Sequence, residues 1–390
     1  MPDTTAGTTT GGAVGPACTA RIPGKLYLAG EYAVTVPGRA ALVVAVDRFV
    51  TVRAQLTDSP RGRFTTAGAA PLVWRQHNNV PVIDSGGGDF WSHCIHAHRV
   101  VEAWRVHNGV PAATYDVTVT SDLVDKATGR KYGLGSSAAV TCAVIAAIAG
   151  VYGLPADPVT LYKLAMLATV MDSPATSGGD IAASSAGGYV HYRSPDRQWI
   201  ARQRLVKPLH TRVAELVSAR WPGLSITPVT AAGRLRILPG WTGSPAVTDT
   251  MLGTPARTPF PDSLLDRSDG LVETMAAMVA GQQPADGVGE VVAGLREVLS
   301  TVAAVRTTTI VTPRLAQLID CAEQLGWSAK TSGAGGGDCG IAITPFPGAT
   351  ADKEHELGLQ WEKAGISALP VVPPEKPALP QVTYHGHGPA

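Results

Sequence analysis

From Ala40 to Leu56 the chain runs first as an unbroken apolar stretch. It then alternates, Val50 and Val52 against Phe49, Thr51 and Arg53, which predicts one or two β-strands. Residues 58–88 are interrupted by Gly, Pro, Asp and Asn, the composition of hairpins and loops. Asp89 stands where it would cap a helix through Asn108, with Phe90, Ile95, Val101 and Trp104 spaced among polar positions. Thr114–Thr120 alternates Tyr115, Val117 and Val119 with polar neighbours, the pattern of a half-buried strand. Between Ser137 and about Val151 the residues are apolar on every side, so the helix expected there is central and buried. Asp157-Pro158 is a cap followed by a favourable first residue, opening a helix to about Met171. A Gly/Ser turn and a further helix or turn entering at Asp180 come next.

Beyond Arg193 the texture changes, with Pro208, Pro222, Pro228 and Pro239 punctuating short apolar runs, and a domain boundary is expected near 190–210. The second half offers strands around Leu235 and Ile341 and helices over 262–281, 287–304 and 313–325. Strands interleaved with helices in both halves predict an α/β or α+β protein, and no repeat period is visible. A chain of 390 residues exceeds what one core usually supports, so two domains are expected.

Apolar residues make up 45% and charged residues 16%, which is the balance of a well-packed globular protein. A formal net charge of +1 provides no field to gather nucleic acid or an anionic membrane, leaving a small molecule as the partner class. The apolar run 138–149 is too short to span a bilayer. Five cysteines (18, 94, 142, 321 and 339) have no ligand or framework spacing, which fits a reducing cytoplasm. Residues 1–15 lack the basic region and apolar core of a secretory leader and read as a disordered tail. The Pro-rich last twenty residues, with His385 and His387, read as another loose end.

The densest chemistry lies in Lys131-Tyr132-Gly133-Leu134-Gly135-Ser136-Ser137-Ala138-Ala139, at the start of the buried helix. Backbone N–H groups and hydroxyls converge there at the positive end of a helix dipole, a ready site for phosphate. The P-loop pattern is absent from the chain. A plain N-cap with a tight turn is the bland alternative, against which Lys131 counts, because a cation beside such a helix start is costly unless an anion lies between them. Ser332–Gly340 contains a chance Gly-x-Gly-x-x-Gly, but Ile341–Thr344 reads as a strand where a dinucleotide fingerprint needs a helix. Ser177-Gly178-Gly179-Asp180 is either a helix cap or a carboxylate that polarises a substrate hydroxyl. Asp172 is a Mg²⁺ ligand or a solvated helix end. The spacing of His93, His96 and His98 does not put all three on one helical face, which argues against a metal site. Trp74, Trp91 and Trp104 either stack on a base or belong to the core.

Taken together, Gly24–Val34, Lys131–Ala139, Ser177–Asp180 and Lys330–Gly340 resemble, in order and spacing, the motifs of the GHMP kinase superfamily. The resemblance runs from about Arg21 to Pro370, and Gly240–Gly243 matches a further segment. Within the superfamily the chain most resembles the bacterial phosphomevalonate kinases. The resemblance implies an α+β, two-domain GHMP kinase fold: a ribosomal-protein-S5-like N-terminal domain, a ferredoxin-like C-terminal domain and a cleft between them. The implied division is a tail at 1–18, an ATP-binding domain at 19–205, a second domain at 206–370 and a Pro-rich tail at 371–390.

Further implications concern the ligands. ATP phosphates lie over Gly133, Leu134, Gly135, Ser136, Ser137 and Ala138, with Ser136 or Ser137 helping to hold Mg²⁺ and Asp172 left as the candidate acidic ligand. Lys131 stands beside the transferring phosphoryl group, and Asp180 orients or deprotonates the acceptor. Lys25, Tyr32, Ser177, Gly178, Gly179 and Trp241 face the acceptor, while Ser332, Gly333, Ala334 and Asp338 brace the phosphate loop from the other domain. Phosphoryl transfer has a loose transition state, which ranks Lys131 with Mg²⁺ above Asp180 as the source of rate. Adenine contacts are expected from the 58–88 loops, with Trp74, Asn78 and Asn79 as candidates.

Related phosphomevalonate kinases often carry a lysine near Ala175 and a glycine near Thr176, so Arg193, Lys207 or Lys25 is left to meet the acceptor's phosphate. The activity implied is ATP-dependent phosphoryl transfer to 5-phosphomevalonate, giving the 5-diphosphate, by a monomer or homodimer. A different acceptor, a decarboxylase-like lyase and a non-catalytic sensor are the alternatives.

Overall fold

A computed structural model of the chain describes residues 15–154, 156–171, 173–206, 212–244, 259–347, 351–369 and 378–385. The larger of two sheets has nine strands: β1 (Ala17–Ala29), β2 (Ala40–Leu56), β3 (Gly62–Thr65), β4 (Leu72–His77), β5 (Val80–Ser85), β6 (Tyr115–Ser121), β7 (Tyr189–Arg193), β8 (Ser225–Val229) and β13 (Gln381–His385). The main path is β13-β1-β2-β6-β3-β4-β5. The long β2 pairs with β7 over Ala40–Val44 and with β6 over Val50–Leu56, and β8 extends the sheet beyond β7.

Four helices cover this sheet: α1 (Ser92–His107), α2 (Ser136–Val151) and α4 (Gly179–Ala186) pack on its strands, and α3 (Pro158–Thr169) packs on those three helices. Helix α2 lies against β1 and β2 and is flanked by the other three helices, which is why it is apolar all round. Its alanines let it approach the sheet closely, and Ala139, Cys142, Ala143, Val144 and Ile145 are fully buried. Asp157 accepts from the N–H groups of Val159 and Thr160 ahead of Pro158, as its spacing predicts. One 3₁₀ turn at Asp89–Trp91 precedes α1, so Asp89 stands ahead of the helix without capping it. Helices α5 (Arg197–Val206) and α6 (Val213–Ser218) complete this half.

The second sheet contains β9 (Leu235–Trp241), β10 (Ser328–Thr331), β11 (Cys339–Pro345) and β12 (Ser367–Ala368), in the order β10-β11-β9-β12 and antiparallel throughout. Helices α7 (Asp262–Val279), α8 (Val288–Arg306) and α9 (Pro313–Gln324) separate β9 from β10, and α10 (Ala351–Lys363) separates β11 from β12. Reduced to its strands, this is the ferredoxin-like βαββαβ arrangement. Thr312 caps α9 by accepting from Leu315 N–H. Among the described residues no helix is long and apolar enough to cross a membrane.

Three expectations change. The boundary placed at 206 falls between β8 and β9, because β8 pairs with β7 and α6 packs on α1 and α3. The C-terminal tail is not loose throughout: residues 381–385 cover the outer edge of β1 from Ala17 to Arg21, capping a strand that would otherwise end the sheet. The start of the chain is likewise in the fold from Ala17, ahead of the expected limit at 18.

Candidate active site

The segment Gly133–Gly135 reaches α2 through two left-handed residues, Gly133 (φ 77) and Gly135 (φ 76). Glycine is required on both counts, conformation and space. A Cβ at Gly133 would lie 2.4 Å from the Cβ of Asp338, and one at Gly135 would lie 2.9 Å from Cε of Lys25. No side chain caps α2, so its first N–H groups face the space in front of them, with Ser136 and Ser137 half-exposed beside them. Open amide donors and the positive end of the helix dipole make this an anion site.

That space is a cleft of ≈ 500 Å³ between the two domains. Lys131 and Asp180 both line it, as do Lys25, Tyr32, Ser177, Ser332, Gly333, Ala334 and Asp338 together with Gly133, Gly135, Ser136, Ser137 and Ala138. The two lysines differ in depth. Lys131 is exposed at the rim, whereas Lys25 on β1 is only 8% exposed. Its backbone N–H donates to Leu134 O at 2.8 Å, so β1 and the glycine loop are tied together. Its ammonium lies 5.4 Å from the centroid of the Tyr27 ring, a cation–π contact.

The Tyr27 hydroxyl is 3.1 Å from Ser177 Oγ, and burial together with the charge of Asp180 pushes this phenol up, keeping it protonated. Asp180 is the second residue of α4, half-buried, with Oδ1 accepting from Ile181 N–H at 3.0 Å. The loop before it is braced from outside the cleft. Tyr192 donates to Ser177 O at 2.6 Å, and Arg197 donates to the carbonyls of Ala175, Thr176 and Thr35.

The C-terminal domain closes the other wall. Tyr27 N–H donates to Ser332 Oγ at 3.0 Å, and that hydroxyl donates to Tyr27 O at 2.9 Å. Tyr32, held at φ 62, donates to Ala334 O at 2.6 Å. Lys330, fully buried, donates to Glu31 and to Thr331 O. The Cys339 thiol donates to Tyr132 O at 3.0 Å, and burial pushes that thiol up, so it stays neutral.

Some expected residues stand outside the cleft. Leu134 is core, and its carbonyl does the positioning. Gly178 and Gly179 pack against the hydroxyls of Tyr162, Tyr192 and Tyr27, behind the cleft wall. Trp241 is buried edge-on against Tyr132, with ring centroids 4.9 Å apart. Asp172 and Lys207 lie outside the described residues. Arg193 is committed to Glu273 at 2.7 Å and Gly38 O at 3.0 Å, away from the cleft.

None of the adenine candidates lines the cleft. Trp74 is buried against His98, while Asn78 and Asn79 border a separate cavity of ≈ 600 Å³. Trp91 and Trp104 are core residues. Unforeseen lining residues include Tyr27, Glu31, His93, Thr169 and Ser173. Glu31 had a signal, a lone carboxylate in the apolar run Leu26–Val34, whereas His93 had none.

Such a cleft, roofed by a glycine loop from each of two domains of these topologies, defines a GHMP kinase. Residues 96–188 match the family model of the GHMP kinases N terminal domain, and residues 295–366 match that of the GHMP kinases C terminal. The chain is 36% identical over 367 residues to the phosphomevalonate kinase of Streptomyces sp. (strain CL190), covering 90% of this chain and 96% of that protein. It belongs to the GHMP kinase family and is a homologue of phosphomevalonate kinase. Streptococcus pneumoniae phosphomevalonate kinase, solved in complex with phosphomevalonate and AMPPNP, superposes with a TM-score of 0.77 at 27% identity, covering 91% of this chain and 99% of that one. A Lin0012 protein from Listeria innocua superposes with a TM-score of 0.82 at 28% identity, covering 94% and 99%.

Proposed function

We propose that this chain transfers the γ-phosphoryl group of ATP to 5-phosphomevalonate, releasing ADP and the 5-diphosphate. One observation carries the reading: a buried lysine, the uncapped start of α2 and a half-buried carboxylate share one cleft between the domains. The names of the Streptomyces and pneumococcal homologues supply the acceptor.

The chemistry follows from charge. Donor and acceptor are both phosphates, and their approach is opposed by repulsion unless the site neutralises it. The α2 amides and Ser136 would hold the donor's phosphates, and Lys25 would sit between donor and acceptor. With no lysine near Ala175, Lys25 is also the deep cation best placed to meet the acceptor's phosphate. A charge acts more strongly in a buried setting than at a solvated rim. Lys25 therefore ranks above Lys131, which would receive the outer phosphate oxygens. The second phosphate proton has a pKa near 6, so the acceptor oxygen is already anionic at neutral pH. Asp180 then orients the acceptor and need not remove a proton.

Magnesium fits the donor set, since the hydroxyls of Ser136 and Ser137 and the carboxylate of Asp180 are the hard oxygen ligands it takes alongside substrate phosphates. When bound it would neutralise charge on the phosphate oxygens. A cytoplasmic location, as monomer or homodimer, belongs to the same reading.

The test is incubation with Mg-ATP and, separately, mevalonate, 5-phosphomevalonate and mevalonate 5-diphosphate, following products by mass. ADP with a new diphosphate from 5-phosphomevalonate is expected. Inorganic phosphate and CO₂ from mevalonate 5-diphosphate would replace the reading with a lyase. ATP binding without turnover of any of the three would replace it with a sensor or a kinase for another acceptor.

A further inference from the structure

A second cavity, of ≈ 760 Å³, lies in the C-terminal domain behind the glycine loop that closes the catalytic cleft. Leu299 and Ala303 of α8, Ala316 and Ile319 of α9, and Ile310 supply apolar wall, and Thr331 of β10 completes it. Thr331 is 1% exposed, and its hydroxyl has no hydrogen-bond partner. Buried hydroxyls are nearly always paired, so an orphan one beside an open cavity calls for a ligand atom. Strand alternation sets its direction. Lys330 reaches out to Glu31, and the next residue must face the opposite side, where α8 and α9 pack on β10.

Charge narrows the occupant. Arg296, the cation among the lining residues, is already paired with Glu323, and Glu297 on the same wall is paired with Arg267, which leaves the carboxylate of Asp320 as the remaining charge on the lining. An anion would find no uncommitted cation there and one carboxylate against it. The volume suits a small organic molecule.

We propose that this cavity binds an uncharged aliphatic or alicyclic alcohol, its hydroxyl paired with Thr331 Oγ1, and that occupancy is transmitted to the kinase cleft. Three links make the connection. Ile310 lines the cavity and accepts from Gly336 N–H of the glycine loop at 2.8 Å. Thr331 is flanked by Lys330, bonded to Glu31, and by Ser332, bonded to Tyr27. Both of those N-terminal residues line the cleft. The binding part of the proposal stands independently of the assigned reaction, and only the transmitted part rests on it.

The test uses the full chain with cyclohexylmethanol and its isosteric anion cyclohexanecarboxylate, read by calorimetry and ligand-observed NMR. The alcohol is expected to bind with Kd on the order of 1 mM, and the carboxylate at least about tenfold more weakly. Thr331→Val, which keeps the shape and removes the hydroxyl, is expected to weaken the alcohol roughly five- to tenfold. Ala316→Phe, which fills the cavity from a half-buried helical position, is expected to abolish binding and leave basal turnover within about twofold. Ala303→Leu is the second filling variant, expected to act in the same way. Equal affinity for alcohol and carboxylate, equal binding by wild type and Thr331→Val, or retained binding in both filling variants overturns the site. So does failure of the alcohol to bind the wild type. Saturating alcohol is expected to shift the KM for ATP or for the phosphorylated acceptor at least about twofold in the wild type and not in Ala316→Phe. Bound alcohol with unmoved KM values overturns the transmission and leaves the site standing.

Discussion

Among the described residues two pairs of opposite charges are buried, and their surroundings are unlike. Glu102 and Arg105 lie on α1 inside the N-terminal domain, 2.8 Å apart. The Glu102 carboxylate also accepts from Tyr115 at 2.6 Å, Tyr152 at 2.8 Å and Gln76 at 2.8 Å, and Arg105 donates onward to Val110 O. Both oxygens of the Glu102 carboxylate are filled by donors from the same domain, leaving that charge no place for a ligand. Glu31 and Lys330 instead join the two domains, and Glu31 borders the cleft. A closed network of this kind holds a scaffold together, because burying charges is tolerable only when they are fully satisfied. A pair shared between domains, with space on one side, couples the domains to whatever fills that space. Burial of charge alone does not separate the two; the neighbours do.

The contrast makes measurable claims, the largest on the scaffold side. Glu102→Ala strands Arg105 in the core and is expected to lower the unfolding free energy of the N-terminal domain by roughly 3–5 kcal/mol in a denaturant titration. The folded fraction should turn over at the wild-type rate; a stable, inactive variant would erase the distinction drawn above. On the cleft side, Lys25→Met and Asp180→Asn are each expected to lower kcat about a hundredfold, on the order of 3 kcal/mol of transition-state stabilisation. Their unfolding midpoints should remain close to wild type, and full activity in either variant removes the role given to it.

His98 sharpens the scaffold side through pH. It is fully buried among Trp74, Phe64 and Tyr115, neither ring nitrogen has a partner, and burial pushes its imidazole down to about 4, opposed by the charge of Glu102 and reinforced by that of Arg99. The unfolded chain therefore takes up the proton first. Stability contributed by the neutral ring is complete above about pH 6.5 and is lost as pH falls from there to about 4, by about 3 kcal/mol in all. In His98→Phe that part of the acid slope should vanish; an unchanged slope would mean that other groups carry it. The smallest effect belongs to the rim: Lys131→Ala is expected to cost about tenfold in kcat/KM, near 1.4 kcal/mol. A loss equal to that of Lys25→Met would show that depth does not rank the two lysines.

Much of this was legible along the chain, for local reasons. The all-apolar run became α2, Asp157-Pro158 became the capped start of α3, and Thr114–Thr120 became β6. Each of those signals is complete within a few turns or residues. The glycine segments were recognisable because their backbone conformations admit little else. By contrast, no strand was expected over residues 17–29, where Pro23 and Gly24 interrupt the pattern, and β1 runs 13 residues with an irregularity at just that point. Strand β13 was hidden in a Pro-rich tail because its pairing partner lies more than 350 residues away.

By itself, then, the sequence determined the helices and strands whose periodicity is local, the glycine loops, and the order of the motifs that mark a GHMP kinase. Tertiary structure alone decided which of two cleft lysines is deep, that Glu31 meets Lys330, that Trp241 and Leu134 are core, and that β8 stays with the first domain. Periodicity and turn chemistry act over a few residues. Depth and pairing depend on which distant segment covers a side chain, and a linear pattern does not carry that information.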